Sequence, residues 1–313
     1  MMYRIVYTLF AVASRLPFAL LFVVSDVLAA LLYHVVRYRR HIVRDNLERS
    51  FPEKSTAEIR GIERRFYRWF TDYFFETVKL LSMSEAEACR RMRFANPEIV
   101  MRAFAEGQSV ATLLGHHCNW EWLSTATYFM GSDRRLGLIY RPLRDATFDR
   151  VFRAIRSRHG GVPVPAKDIL RYLLRYKSEG TLSLFGYIAD QSPRYVNIHL
   201  WLPFLNRETG VFTGAERIIR KMHDAVFYIE MSRPRRGYYV CTFHEMTRAP
   251  QSLPEGELTR RFFALLEATV RRDPSHYLWT HNRWKRTRDN FESRFAADAH
   301  GHNRAKDDAR GGA

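Results

Sequence analysis

The chain has 313 residues, 46% hydrophobic and 14% aromatic, which allows a sizeable core and excludes a disordered protein. Its formal net charge of +17 calls for a polyanionic partner: nucleic acid, an anionic membrane surface or an acidic carrier protein. Three cysteines (Cys89, Cys118, Cys241) are too few and too scattered for a disulfide framework, which fits a reducing compartment.

In chain order, Ile5 to Val36 is almost wholly apolar, broken by Arg15, Asp26 and His34. Pro17 to Val36 is long enough to cross a bilayer or to lie in its interface, and the basic stretch RYRRHIVR follows directly. That order predicts a membrane-attached N-terminus with the following chain held on the cytoplasmic side against anionic lipid. The run is long and ends on basic rather than small residues, which disfavours a cleaved leader. Ala57 to Leu81 reads as a helix, with Ile62, Phe66, Phe70 and Phe74 at four-residue spacing. Ser109 to Leu114 suits a buried strand closed by Gly115. Trp120 to Met130 suits a helix with Asn119 as its N-cap. Leu136 to Tyr140 and Thr181 to Ala189 are further buried strands, and Asp145 to His159 is an amphipathic helix stopped by Gly160-Gly161. Thr213-x-x-Glu216 reads as a capping box opening a helix to Met222. Val226 to Met231 and Tyr238 to Phe243 flank a hairpin turn, and Phe262 to Val270 is a last helix. Strands alternating with helices predict an α/β fold, a largely parallel sheet flanked by helices, with an N-terminal membrane-associated helical segment. The expected division is an anchoring segment at 1–40, a catalytic domain at 41–290 and a disordered tail at 291–313.

Residues 115–122, GHHCNWEW, concentrate the chemistry. On one continuous helix His116 and Glu121 would sit about 140° apart, on different faces. As strand, loop and helix start, the same spacing folds back, and a carboxylate accepting from one imidazole nitrogen makes the other a general base. Zinc on His116, His117 and Cys118 would need three consecutive side chains to converge, and no second cluster has ligand spacing, so no metal is expected. A Cys118 nucleophile and a packed loop with incidental histidines are the remaining readings.

GHHCNWEW resembles the signature of the bacterial lipid A biosynthesis acyltransferases, the late lauroyl and myristoyl transferases of the lysophospholipid acyltransferase superfamily. In that pattern a glycine and the histidine precede Asn-Trp-Glu, matched here by Asn119-Trp120-Glu121. Further blocks agree in order: Arg44-Asp45-Asn46-Leu47, Phe51-Pro52-Glu53, Tyr140-Arg141-Pro142, Arg156-Ser157-Arg158-His159-Gly160-Gly161 and Asp190-Gln191. Pro203-Phe204 before Thr213-Gly214 and a closing Trp279-Thr280-His281-Asn282-Arg283-Trp284-Lys285 extend the resemblance to about residue 290. The chain departs from the pattern at His117-Cys118, where an aromatic residue and glycine are usual, and at Ala189, where proline is common.

The resemblance implies transfer of a fatty acyl chain from acyl carrier protein to a hydroxyl of a membrane glycolipid of the lipid A type. The place would be the cytoplasmic face of the bacterial inner membrane, and neither a cofactor nor nucleic acid would be involved. His116 would be the base and Glu121 its orienting partner. Arg156 and Arg158 would bind phosphate or the oxyanion, with Asp190 and Arg141 as further candidates at strand ends and Asn119, Trp120 and Gln191 as motif support. A lysophospholipid or aminolipid acceptor, and a non-catalytic protein gripping anionic lipid, are the rival readings. Dependence on His116 separates the last of these from an enzyme.

Overall fold

The computed structural model describes residues 2–294. Four helices come first: α1 (Met2–Arg15), α2 (Phe18–Ala30) running into a π turn (Leu31–Val35), α3 (Arg40–Ser50) and α4 (Thr56–Lys79). Next are α5 (Glu85–Arg91), β1 (Met92–Phe94), α6 (Glu98–Ala105) and β2 (Val110–Leu114). A 3-10 turn (Trp120–Ala126) leads through α7 (Thr127–Met130) to β3 (Arg135–Tyr140), α8 (Ala146–Ser157), β4 (Val162–Pro165), α9 (Ile169–Ser178) and β5 (Ser183–Ile188). A separate hairpin, β6 (Leu200–Phe204) and β7 (Arg207–Val211), precedes α10 (Gly214–Met222), β8 (Ala225–Arg235), β9 (Tyr238–Thr247) and α11 (Glu257–Arg272).

The main sheet has the order β1-β9-β8-β2-β5-β3-β4. All its neighbouring pairs are parallel except the β8–β9 hairpin, so the expected α/β class is observed. Alternation along β2 sends Ala111 and Leu113 into the core that holds Phe66, Trp69 and Phe262, and Val110 and Leu114 into the core with Trp122 and Val151. Both faces are covered, and that is why the parallel strands read as continuous apolar runs.

Three local expectations are corrected. The segment after Asn119 is mostly 3-10 helix, and Asn119 makes no cap; its amide donates instead to Glu76 at 3.1 Å. Thr213 does not cap α10. Glu216 reaches across to accept from Gly256 N and Thr259 N, satisfying the open N-terminus of α11. On α4, capped by Ser55 and Glu58, Ile62 and Phe66 are buried and Phe70 packs against the core as the spacing predicts, but Phe74 is exposed while Glu63, Asp72 and Glu76 are buried. Of the tail expected at 291–313, residues 291–294 are helical, and the rest lies outside the described residues.

Far from the site residues, Asp224 is 3% exposed just before β8, and its Oδ2 has no partner. Burial pushes its carboxyl up to about 7, against the pull of Lys177. The folded value exceeds the unfolded 3.8, so the fold favours the protonated acid. That stability is complete below pH ~4 and is lost as the pH rises through about 7. Asp224→Asn is expected to raise the Tm at pH 8, by roughly 2–4 kcal/mol of stability, and to change little at pH 4. Equal melting of the two proteins at pH 8 would contradict this.

Candidate active site

Register builds the site. β2 and β5 are adjacent parallel strands, with Leu114 opposite Ile188. Two residues beyond each strand stand His116 and Asp190, at the carboxyl edge where open α/β sheets bind their ligands. A side chain at Gly115 would meet Leu266 Cδ1 at 2.5 Å, so glycine lets the end of β2 pack against α11. Asp190 Oδ1 lies 2.6 Å from His116 Nδ1, and its Oδ2 accepts from the His116 amide at 3.1 Å. The Tyr277 hydroxyl also donates to this carboxylate. Burial alone would raise the Asp190 carboxyl, but the charge and hydrogen bonds of His116, with Tyr277, bring it to about 2. Asp190 is therefore ionised across the working range, and Nδ1 of His116 is the protonated nitrogen. Its Nε2, the other nitrogen, faces Gln191 Nε2 at 3.1 Å.

The expected partnership of His116 with Glu121 is not formed. Glu121 accepts from Arg156 instead, Nη2 to Oε1 at 2.6 Å and Nε to Oε2 at 2.8 Å, in a two-pronged buried pair. The physical reason is the 3-10 turn, which buries Glu121 under the sheet edge, where the C-terminal end of α8 delivers Arg156. Burial tends to lower the Arg156 pKa, yet Glu121 raises it above its ordinary value, so the guanidinium keeps its charge. Arg158, two residues on, is exposed and donates to Leu81 O, away from Glu121. Arg141 is exposed just past the end of β3.

Glu121 and Arg156 border an apolar cavity whose empty space, open mouth included, is about 570 Å³. Its walls come from the underside of the sheet and the 3-10 turn, among them Leu114, Leu123, Leu138, Leu184, Ile229 and Phe243. Trp120 joins the two halves: its ring lines the cavity and lies 4.8 Å from the His116 ring.

The loop itself is held from below. Glu76 accepts from Asn119 and from the Tyr239 hydroxyl, and its backbone oxygen accepts from Trp122 Nε1. Arg233 bridges Glu76 to Asp72, and Arg236 links Asp72 to Asp26 on α2. Sequence reasoning missed this scaffold. Its signal was present as acids at i, i+4 on α4, where Asp72 and Glu76 interrupt an otherwise apolar face.

Cys118 takes a left-handed backbone, φ 54°, at the position where the resembling pattern carries glycine. Its thiol is buried against Met231 O and its pKa is pushed well above the usual range by burial, so it is no nucleophile. His117 is buried with its two ring nitrogens facing Met231 O and Asp273 O. Ligand atoms of His117, Cys118 and Asp273 lie within 4.8 Å of one another, an approach made by a residue remote in sequence rather than by three consecutive ones. The Asp273 carboxylate is engaged by His276 at 2.6 Å.

The site thus joins a histidine backed by an ionised, buried carboxylate, an arginine fixed by Glu121 and an apolar cavity. The chain belongs to the bacterial lipid A biosynthesis acyltransferase family, whose sequence profile matches residues 2–286. It is thereby an acyltransferase of lipid A biosynthesis, acting on a lipid acceptor within a membrane-associated family. No curated protein matches the chain.

Proposed function

We propose that the protein moves a fatty acyl group from acyl carrier protein to a hydroxyl of a lipid A-type glycolipid precursor, at the cytoplasmic face of the inner membrane. The carrying observation is His116, with Nδ1 held by ionised Asp190 and Nε2 facing only the exposed Gln191 side chain among the described residues. In this reading Nε2 takes the acceptor's hydroxyl proton as the oxygen attacks the thioester carbonyl. Arg156, held by Glu121, stabilises the oxyanion. The carbon–sulfur bond then breaks, and the imidazolium returns its proton to the departing thiolate. Asp190 replaces Glu121 as the group that orients the base. The acyl chain occupies the apolar cavity.

Charge supports the two substrates. Arg39, Lys285 and Arg286 lie near one another beside Ser192 and have no ion pair among the described residues, an arrangement suited to an anionic headgroup. Arg141, Arg144 and Arg153 are exposed at the β3–α8 corner, beside the cavity lining residues Ile139 and Arg156, and suit an acidic carrier protein.

The N-terminal helices support attachment in the interface rather than a free span. Phe18–Val35 is apolar enough to cross a bilayer, but Ser25 and Asp26 on α2 are tied to Asp72, Arg68 and Arg236 of the domain. The opposite side exposes Ile5, Leu9, Val12, Val23 and Val27, continued by Leu143 and Phe148, with Arg4, Arg15 and Arg37 among them.

The test combines purified protein, acyl-carrier protein and glycolipid acceptor, with products read by mass spectrometry. His116→Ala is expected to lower transfer by about 10²–10⁴-fold without loss of membrane association. An active His116→Ala enzyme would overturn the mechanism. Lipid profiles of cells with and without the gene identify the acceptor.

A further inference from the structure

We infer that Gln191 is a gate on the base nitrogen, keeping His116 from activating water until the acceptor hydroxyl displaces it. The inference rests on the reading of the protein as a thioester-dependent acyltransferase. With Nδ1 donating to Asp190, Nε2 of His116 carries the lone pair, and the Gln191 carboxamide N–H donates into it at 3.1 Å. The rest of the segment is pinned elsewhere: Asp190 by His116 and Tyr277, Ser192 by its amide on His281 Nε2 and its hydroxyl on Arg286. His281 accepts readily because burial lowers its pKa to about 4 despite Asp190, leaving it neutral. The Gln191 side chain alone is exposed and makes no other hydrogen bond among the described residues. It can therefore swing aside without disturbing the backbone.

A transferase holding a thioester must keep water from the same base that serves its acceptor. In the unwanted reaction, water loses a proton to Nε2 while its oxygen bonds to the acyl carbon. The carbon–sulfur bond breaks, the thiolate takes the proton back, and free fatty acid is released. A lone water offers Nε2 one hydrogen bond, about what the tethered carboxamide already supplies. The acceptor offers its hydroxyl together with headgroup contacts elsewhere, and that remote binding drives Gln191 off the nitrogen.

The experiment measures fatty acid release and acyl transfer side by side, using acyl-carrier protein with and without glycolipid acceptor. Gln191→Ala removes the cap, and Gln191→Met keeps its length without a donor. Either is expected to raise the ratio of hydrolysis to transfer about five- to tenfold, the worth of one hydrogen bond. A purely structural role would lower both reactions together and leave the ratio unchanged, and an unchanged ratio in both variants overturns the gate. A wild-type protein that neither transfers nor hydrolyses overturns the functional reading and the gate with it.

Discussion

Asp190→Asn is expected to cut kcat for acyl transfer about 10³–10⁴-fold, a loss on the scale of replacing the orienting carboxylate of a serine protease triad. The two oxygens of Asp190 serve two different donors, His116 Nδ1 and the His116 amide. Asparagine has a single acceptor oxygen. It must leave one of those donors unmet, or point its own N–H at Nδ1 and shift the ring proton to Nε2, where it blocks the base. The same carboxylate also contributes to the fold. Its value of about 2 lies below the unfolded 3.8, so its stabilisation, ~2 kcal/mol, is present above pH ~4 and lost as the pH falls through about 2. Activity of the variant is therefore to be compared at neutral pH with its melting curve beside it. Near-normal turnover would show that Asp190 does not orient the base.

Arg156→Ala is expected to destabilise the protein by about 3–5 kcal/mol, because it leaves the buried Glu121 carboxylate without its cation. Transfer should fall with it, which by itself does not separate chemistry from architecture. The double replacement Glu121→Leu with Arg156→Leu makes that separation. Removing both members of a buried ion pair in favour of apolar groups is often neutral or stabilising. The double variant is expected to melt close to wild type and to remain without transfer activity. Recovery of activity along with stability would assign the pair to structure alone.

Much was legible from spacing. The strands ending at Leu114, Tyr140 and Ile188, the helix before Gly160-Gly161 and the β8–β9 hairpin follow from apolar periodicity and turn residues, which act within a few residues of one another. The placement of His116 was legible too, since a residue just past a buried strand stands at the edge where α/β sheets bind ligands.

The partnerships inside the site were not legible, because they run between segments distant in the chain. His116 meets Asp190, 74 residues away, because β5 pairs beside β2 while β3 and β4 are laid down further out. Glu121 meets Arg156 across 35 residues because α8 returns its last turn to the sheet edge. Capping showed the same limit: Thr213-x-x-Glu216 has the pattern of a box, yet Glu216 serves the N-terminus of α11, where its carboxylate satisfies buried amides. The sequence by itself determined which elements form and which residue types carry chemistry, since period and residue chemistry are local properties. Only the tertiary structure decided that Asp190 holds His116 and Glu121 holds Arg156, since strand order is set by how the whole apolar surface is buried.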